Sequence, residues 1–143
     1  MRVTLREVRD EDLPLFYEQH RDPVAVAMAI TPVRERDEFI ARWLKNLADP
    51  ANLTVTIEAD GAVAGHACCF PNEGRRWVGY WVDRALWGKG IASAALRLLL
   101  EREPTRPLFA ETADTNVRSQ LVLRNAGFIE VGREPGSVTW RLG

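Results

Sequence analysis

Two glycines in Gly88-Lys89-Gly90 stand between an apolar, strand-like run and a long helical one. A helix N-terminus leaves backbone N–H groups unpaired and carries partial positive charge, so a turn at that place can hold a phosphate or pyrophosphate. Glycine removes the Cβ that would keep a diphosphate from the backbone. A plain glycine-relieved helix start uses the same letters. Two familiar phosphate loops fail by letter. A Walker A loop needs G-x-x-x-x-G-K-[ST], and here Lys89 lies between the glycines. A dinucleotide fingerprint would continue from Gly88 and Gly90 to a third Gly or Ala, where this chain has Ser93. Glu111 lies near the distance of a ribose-binding acid, but too little chain follows for a doubly wound sheet.

A third reading fits the surrounding residues. The stretch from Gly79-Tyr80-Trp81-Val82 through Trp87-Gly88-Lys89-Gly90-Ile91-Ala92 resembles the acetyl-CoA motif of GNAT acetyltransferases, whose core is Q/R-x-x-G-x-G/A. Gly90 and Ala92 fill its last two defined positions, and Trp87 replaces the usual Gln or Arg. That variant is typical of the branch containing ribosomal-protein N-terminal acetyltransferases. A second block, Asn116-Val117-Arg118-Ser119-Gln120-Leu121-Val122-Leu123-Arg124-Asn125-Ala126-Gly127-Phe128, is similar to that branch's N-x-x-S-x-x-V-L-x-x-x-G-F.

The resemblance implies an N-acetyltransferase that uses acetyl-CoA as co-substrate, without a metal, and moves acetyl to a primary amine by direct attack on the thioester. It implies an α+β fold with a mixed, mostly antiparallel sheet of six to seven strands flanked by about four helices. A single domain would then cover residues 1–143. The strand ending at Val82 would splay from its neighbour, and the pantetheine arm would pair with the backbone of Trp81 and Val82. Trp87, Gly88, Lys89, Gly90, Ile91 and Ala92 would hold the pyrophosphate through backbone N–H groups. Asn116 and Ser119 would face the pantetheine and the sulfur. Many family members place a Tyr acid where this chain has Leu123, which cannot donate a proton. Ser119, one helical turn earlier, is the expected substitute, although a Ser inside a helix often bonds only its own backbone.

The general base stays open. The branch often has Glu just before the G-Y of the central strand, at Trp77 here, and Glu73, His66 and Glu111 are the nearby candidates beside a water relay. His66 also suits a satisfied core histidine, and Glu111 a solvated strand residue. An acyl-cysteine route through Cys68 or Cys69 competes with their reading as buried small hydrophobes. Because Trp77 and Leu123 both depart from catalytic types, a non-catalytic acyl-CoA-binding module is the alternative function. A nucleotide-binding module of another fold would require a parallel sheet.

The acceptor is expected to be a small-molecule amine or a protein N-terminus. An α-amine with pKa about 7.7–8.0 needs only about 1 kcal/mol to be neutral at pH 7, against roughly 4–5 kcal/mol for a lysine near 10.4. In the family the acceptor enters opposite the cofactor, here between Val24 to Arg36 and Ile129 to Trp140. Met28 and Glu130 are the expected contacts.

These groups need a scaffold, and the periodicities supply one. Val3, Leu5 and Val8 read as an opening strand, and Asp10 as the cap of a helix with Leu13, Phe16, Tyr17 and His20 on one face. Val24 to Ile30 is apolar without a clean period. Phe39, Ile40, Trp43, Leu44 and Leu47 mark a second helix over about Glu35 to Ala48. Alternation from Leu53, the hairpin signals Asp60-Gly61 and Asn72-Glu73-Gly74, and the run Trp77 to Val82 predict a three-stranded meander. A helix over about Lys89–Arg102, a strand Leu108–Thr112, a helix Asn116–Asn125 and two closing strands around Pro135-Gly136 complete the order. That order is α+β.

Composition agrees with a globular chain. It has 143 residues, 46% hydrophobic content and a net charge of −1, which gives no basic field for nucleic acid or an anionic membrane. Adjacent Cys68 and Cys69 have no metal spacing and point to a reducing compartment. The first residues lack a signal-peptide h-region, and no apolar run reaches membrane-spanning length. A cytoplasmic monomer or homodimer is the expectation.

Overall fold

The computed structural model describes residues 1–30 and 33–143; Thr31 and Pro32, inside the segment expected to face the acceptor, lie outside the described residues. Apolar and polar residues alternate in Leu53-Thr54-Val55-Thr56-Ile57-Glu58, as the period of two of a half-buried strand requires, whereas Ala62-Val63-Ala64-Gly65-His66-Ala67-Cys68-Cys69 in the middle of the sheet is apolar almost throughout. β1 (Val3–Arg6), β2 (Leu53–Ala59), β3 (Ala62–Asn72), β4 (Arg75–Val82), β5 (Leu108–Ala113), β6 (Ile129–Glu134) and β7 (Ser137–Leu142) make one sheet of order β1-β2-β3-β4-β5-β7-β6. Every neighbouring pair is antiparallel except β4 and β5. The meander turns carry positive φ at Asp60 and Gly61 and again at Glu73 and Gly74, the two-residue geometry that matches strand twist.

Helices cover both faces. α1 (Leu13–Gln19), α2 (Pro23–Ala27) and α3 (Arg36–Ala48) lie on one, and α4 (Ile91–Arg102) and α5 (Val117–Asn125) on the other. On the first face Leu13, Phe16, Phe39 and Trp43 form a compact cluster. On the second, α4 buries Ile91, Ala95, Leu96 and Leu99 against Val55, Ile57, Val78, Val82 and Trp140. Each such large apolar side chain contributes about 1.5–3 kcal/mol on leaving water.

The fold class, the seven strands and the mostly antiparallel sheet agree with the sequence reading, and three local expectations change. Where about four helices were expected, the described residues form five, because Asp22 Oδ1 accepts from the N–H groups of Val24 and Ala25 and caps α2 in a segment without helical period. Asp10 is not the cap of α1. Asp12 precedes that helix instead, buried and bonded to Arg6, to the Arg9 N–H and to the Thr56 hydroxyl. The long helix starts at Ile91 rather than Lys89, since Gly90 has φ +77°, outside the helical region.

Candidate active site

The parallel pair β4–β5 is joined only at Arg76–Leu108 and Trp77–Phe109, although both strands continue. Past Trp77 the sheet therefore opens. The backbone groups bordering the gap follow from the β3–β4 register. Asp83 N–H donates to Ala64 O at 2.8 Å, which makes Gly65–Val82 a non-hydrogen-bonded facing pair and turns Trp81 toward His66. A Cβ on Gly65 would stand 1.9 Å from the Trp81 carbonyl oxygen, in keeping with that orientation. The backbone turned toward the gap thus belongs to Tyr80 and Val82. Of the two residues expected to pair with a pantetheine arm, Val82 offers its edge and Trp81 does not.

At the end of β4 the chain enters the glycine turn. Gly88 and Gly90 have φ of +81° and +77°, which an L side chain rarely adopts. A Cβ at Gly90 would meet nothing within 4 Å, so the space over the helix start is open. The first intrahelical bond of α4 runs from Ala94 N to Gly90 O, leaving the amides of Ile91, Ala92 and Ser93 without helical acceptors. Trp87 ties the turn to the strand, its Nε1–H donating to Val82 O at 2.9 Å. Arg118 of α5 places its guanidinium 5.6 Å from the Trp87 ring centre and near Gly88. Open glycine backbone, free amides and a cation fit a diphosphate. Arg118 was not singled out by spacing; its place one residue before Ser119, on the first turn of α5, was the available signal.

On the α4–α5 side of the gap, Tyr80 Oη lies 2.6 Å from Ser119 Oγ. Burial pushes the phenol up to about 12, against the opposing pull of the Ser119 hydrogen bond. It stays protonated at neutral pH. Ser119 is held by Asn116, whose Oδ1 accepts the Ser119 N–H at 3.1 Å while its Nδ2 donates to Met28 O at 3.3 Å. Asn116 is thus at once a helix cap and a bridge from α5 to the end of α2. Leu123 is buried core. Tyr80 is the hydroxyl that sequence reasoning missed, since it sought one on the helix and this one comes from the strand.

The α1–α3 side is made of rings. His66, Cys68 and Phe70 of β3 face Trp81, Gly79 and Trp77 of β4. His66 is buried but not satisfied: Nε2 lies 3.0 Å from His20 Nε2, while Nδ1 has no partner. His20 stacks on Trp81 with ring centres 3.8 Å apart. Burial holds His20 down to about 4, and burial followed by the neighbouring His20 holds His66 well below the usual histidine range. Burial likewise pushes Cys68 to about 11 and Cys69 to about 12, and both thiols are free. That leaves an acyl-cysteine route without a thiolate. Glu111 is exposed on β5, on the same face as Phe109.

One cleft of about 1210 Å³ joins both sides. It is lined by Trp81, Val82, Trp87, Gly88, Gly90, Ile91, Ala92, Asn116 and Ser119, and also by His66, Glu73, Glu111, Met28, His20, Tyr80 and Arg118. Lys89 and Glu130 are not among its lining residues. Glu130 sits on the outer strand β6 and pairs with Arg133 at 2.7 Å, apart from the residues that line this cleft. Among the described residues no group of three or more His, Cys, Asp or Glu is placed to hold a metal ion, and no helix is long and apolar enough to cross a membrane.

Comparison with known proteins follows the same lines. The chain is 30% identical over 107 residues to the Bacillus subtilis (strain 168) protein named "Putative ribosomal N-acetyltransferase YdaF", covering 68% of this chain and 57% of that relative's length. The fold matches spermidine N-acetyltransferase from Vibrio cholerae in complex with CoA and spermine, at TM-score 0.82 and 17% identity over 97% of this chain and 92% of that one. It also matches RimL, a ribosomal L7/L12 alpha-N-protein acetyltransferase in complex with coenzyme A, at TM-score 0.79 and 18% identity over 97% and 92%. At those identities the likeness is one of fold. The acetyltransferase (GNAT) domain model matches residues 2–129, and the chain belongs to the GNAT acetyltransferase family.

Proposed function

We propose that the protein transfers an acetyl group from acetyl-CoA to a primary amine by direct attack of the amine on the thioester. The observation that carries this reading is the free edge of β4 at Tyr80 and Val82, opening beside the glycine turn and reaching the Tyr80–Ser119 hydroxyl pair within one cleft. Acetyl-CoA supplies the activated carbonyl. The chain supplies its placement: amides at residues 91–93 and Arg118 for the diphosphate, and the β4 edge for the arm.

Val82 N–H is the fixed donor for negative charge developing on the carbonyl oxygen. The Val82 carbonyl, in the next peptide unit, accepts from Trp87 Nε1–H, so the N–H is the backbone group this residue leaves free at the edge. The leaving sulfur is a good leaving group, with a thiol pKa of about 8.5. Tyr80 and Ser119 need only hand over a proton, and whichever hydroxyl gives it is resupplied through the 2.6 Å bond to the other. This shares between two groups the role expected of Ser119 alone.

On the acceptor side Met28 and Ala25 of the α2 segment line the cleft with Tyr17, His20 and Trp81. A small apolar-walled mouth suits a small amine or a chain terminus. Neighbours named for spermidine and for a ribosomal protein's α-amine support an amine acceptor in general. Purified protein with acetyl-CoA and a panel of amines and peptide N-termini, read by mass spectrometry, should give a product 42 Da heavier by roughly one acetyl group. Acetyl-CoA binding without any acetylated product would replace this reading by a non-catalytic acyl-CoA-binding module.

A further inference from the structure

We propose that His20 takes the proton that the amine must lose, and that His66 is the positioning residue that fixes its tautomer. The inference rests on the acetyltransferase reading and names a group on its acceptor side.

Two neutral imidazoles bonded Nε2 to Nε2 at 3.0 Å share one proton between those nitrogens. One ring donates and the other accepts, so each sets the other's tautomer. The rings differ in access. His20 lines the cleft, and with Nε2 committed to His66 its Nδ1 is the nitrogen left for a substrate. His66 is enclosed, with the rings of Phe16 and Trp43 packed on it at 4.9 and 4.8 Å. An aromatic face receives an N–H better than a lone pair. His66 then keeps its proton on Nδ1, accepts at Nε2, and leaves His20 as Nε2–H with Nδ1 bare. A bare Nδ1 on the cleft wall is a base.

The surroundings suit a charge that is transient. Trp81 lies flat against His20 at 3.8 Å and Phe39 meets it edge-on at 5.0 Å; an indole face stabilises an imidazolium as it forms. No charged side chain among the described residues hydrogen-bonds either ring. Tyr17 of α1, Arg42 of α3 and Cys68 of β3 line the same cleft, and none of them bonds to an imidazole; Asp12 is engaged by Thr56 and Arg6 instead. Apolar packing therefore keeps the resting rings neutral, as the lowered titration of His20 also indicates.

In the step itself the amine nitrogen forms its bond to the carbonyl carbon and its N–H proton passes to His20 Nδ1. The carbon–sulfur bond breaks, the electron pair leaves on sulfur, and the sulfur takes a proton from the Tyr80–Ser119 pair. His20 returns its proton to water through the cleft, and water gives a proton back to the Tyr80–Ser119 pair, so both ends are reset for the next turnover.

The tests use the full chain. Long-range ¹⁵N NMR of the wild type should show His20 protonated on Nε2 and bare on Nδ1; the reverse tautomer overturns the proposal, whatever the activity. His20→Gln keeps a hydrogen-bonding group toward His66 but cannot take a proton. It should lower kcat about 100-fold while acetyl-CoA affinity by calorimetry stays unchanged. His66→Gln should scramble the His20 tautomer in the same spectrum and lower kcat about 10-fold. A wild-type rate in His20→Gln overturns the base role and leaves the transferase reading standing. A wild type that acetylates no amine removes both.

Discussion

The two sides of the cleft are built from different materials. On the proposed cofactor side the framework is backbone: amides at the start of α4, the open edge of Tyr80 and Val82, and a turn shaped by positive φ at Gly88 and Gly90, with Arg118 and the Tyr80–Ser119 pair added to it. On the proposed acceptor side they are side chains: His20 just past α1, His66 from β3, Trp81 from β4 and Met28 beyond α2. A backbone site needs only the right dihedrals and the right gap, so Trp87 can stand in place of Gln or Arg. A side-chain site depends on residues such as His20 and His66, which lie 46 positions apart and meet only in the fold. One side can stay fixed while the other is rebuilt for a new acceptor.

The strongest break in that comparison is at the turn. Gly90→Glu puts a side chain and a negative charge where the diphosphate would pass, at a φ that already strains it. Calorimetry should find acetyl-CoA affinity reduced at least about 100-fold, a loss of about 2.7 kcal/mol. Binding at wild-type strength would move the phosphate site elsewhere.

Acid should act on the acceptor side. His20 is held to about 4 against an ordinary 6.5, so the unfolded chain binds the extra proton between those values. Stability is complete above pH 6.5 and falls as pH drops toward 4, by on the order of 3 kcal/mol from this ring alone. Asp12, lowered to about 2 from 3.8 despite its burial by bonds from Arg6, Arg9 and Thr56, adds a second loss below pH 4. Chemical denaturation of His20→Gln should show the first loss reduced. Equal acid sensitivity in wild type and variant would mean that His20 is not held neutral by the fold.

Smaller effects sharpen the picture at the junction. Tyr80→Phe and Ser119→Ala should each lower kcat about 10-fold, and the double variant little further, since the two hydroxyls act as one pair. Additive losses in single-turnover rates would separate their roles. Smallest is the acceptor mouth. Met28→Ala should raise the amine KM a few-fold with acetyl-CoA affinity unchanged, whereas Glu130→Gln should leave both alone. A KM change in Glu130→Gln would bring β6 back into the site.

Legibility followed the same division. The meander and the stripe of α3 were readable because period and turn residues are local properties. The glycine turn was readable for that reason, although the helix after it begins at Ile91 and not at Lys89. What the letters hid was directional or long-range. The backbone that Val82 offers and Trp81 does not depends on β3–β4 register, and the hydroxyl pair depends on a strand residue meeting Ser119 across the gap. His66 was suspected alone, without its partner. Asp12 was overlooked for Asp10 because a cap is a local signal and an ion pair with Arg6 is not.

The outer strand β6 has a consequence of its own. It ends the sheet with one edge open to water and exposes Ile129 and Val131, features that invite another chain to add itself as an eighth strand. A shift of register between Glu130 and Gly132 breaks the regular spacing of its free amides and carbonyls, and the Glu130–Arg133 pair sets charges beside the break. Irregular spacing and charge are what make an edge a poor template for stacking. At Gly132 a regular ladder could not run on, so an added strand would meet two short stretches out of step with each other.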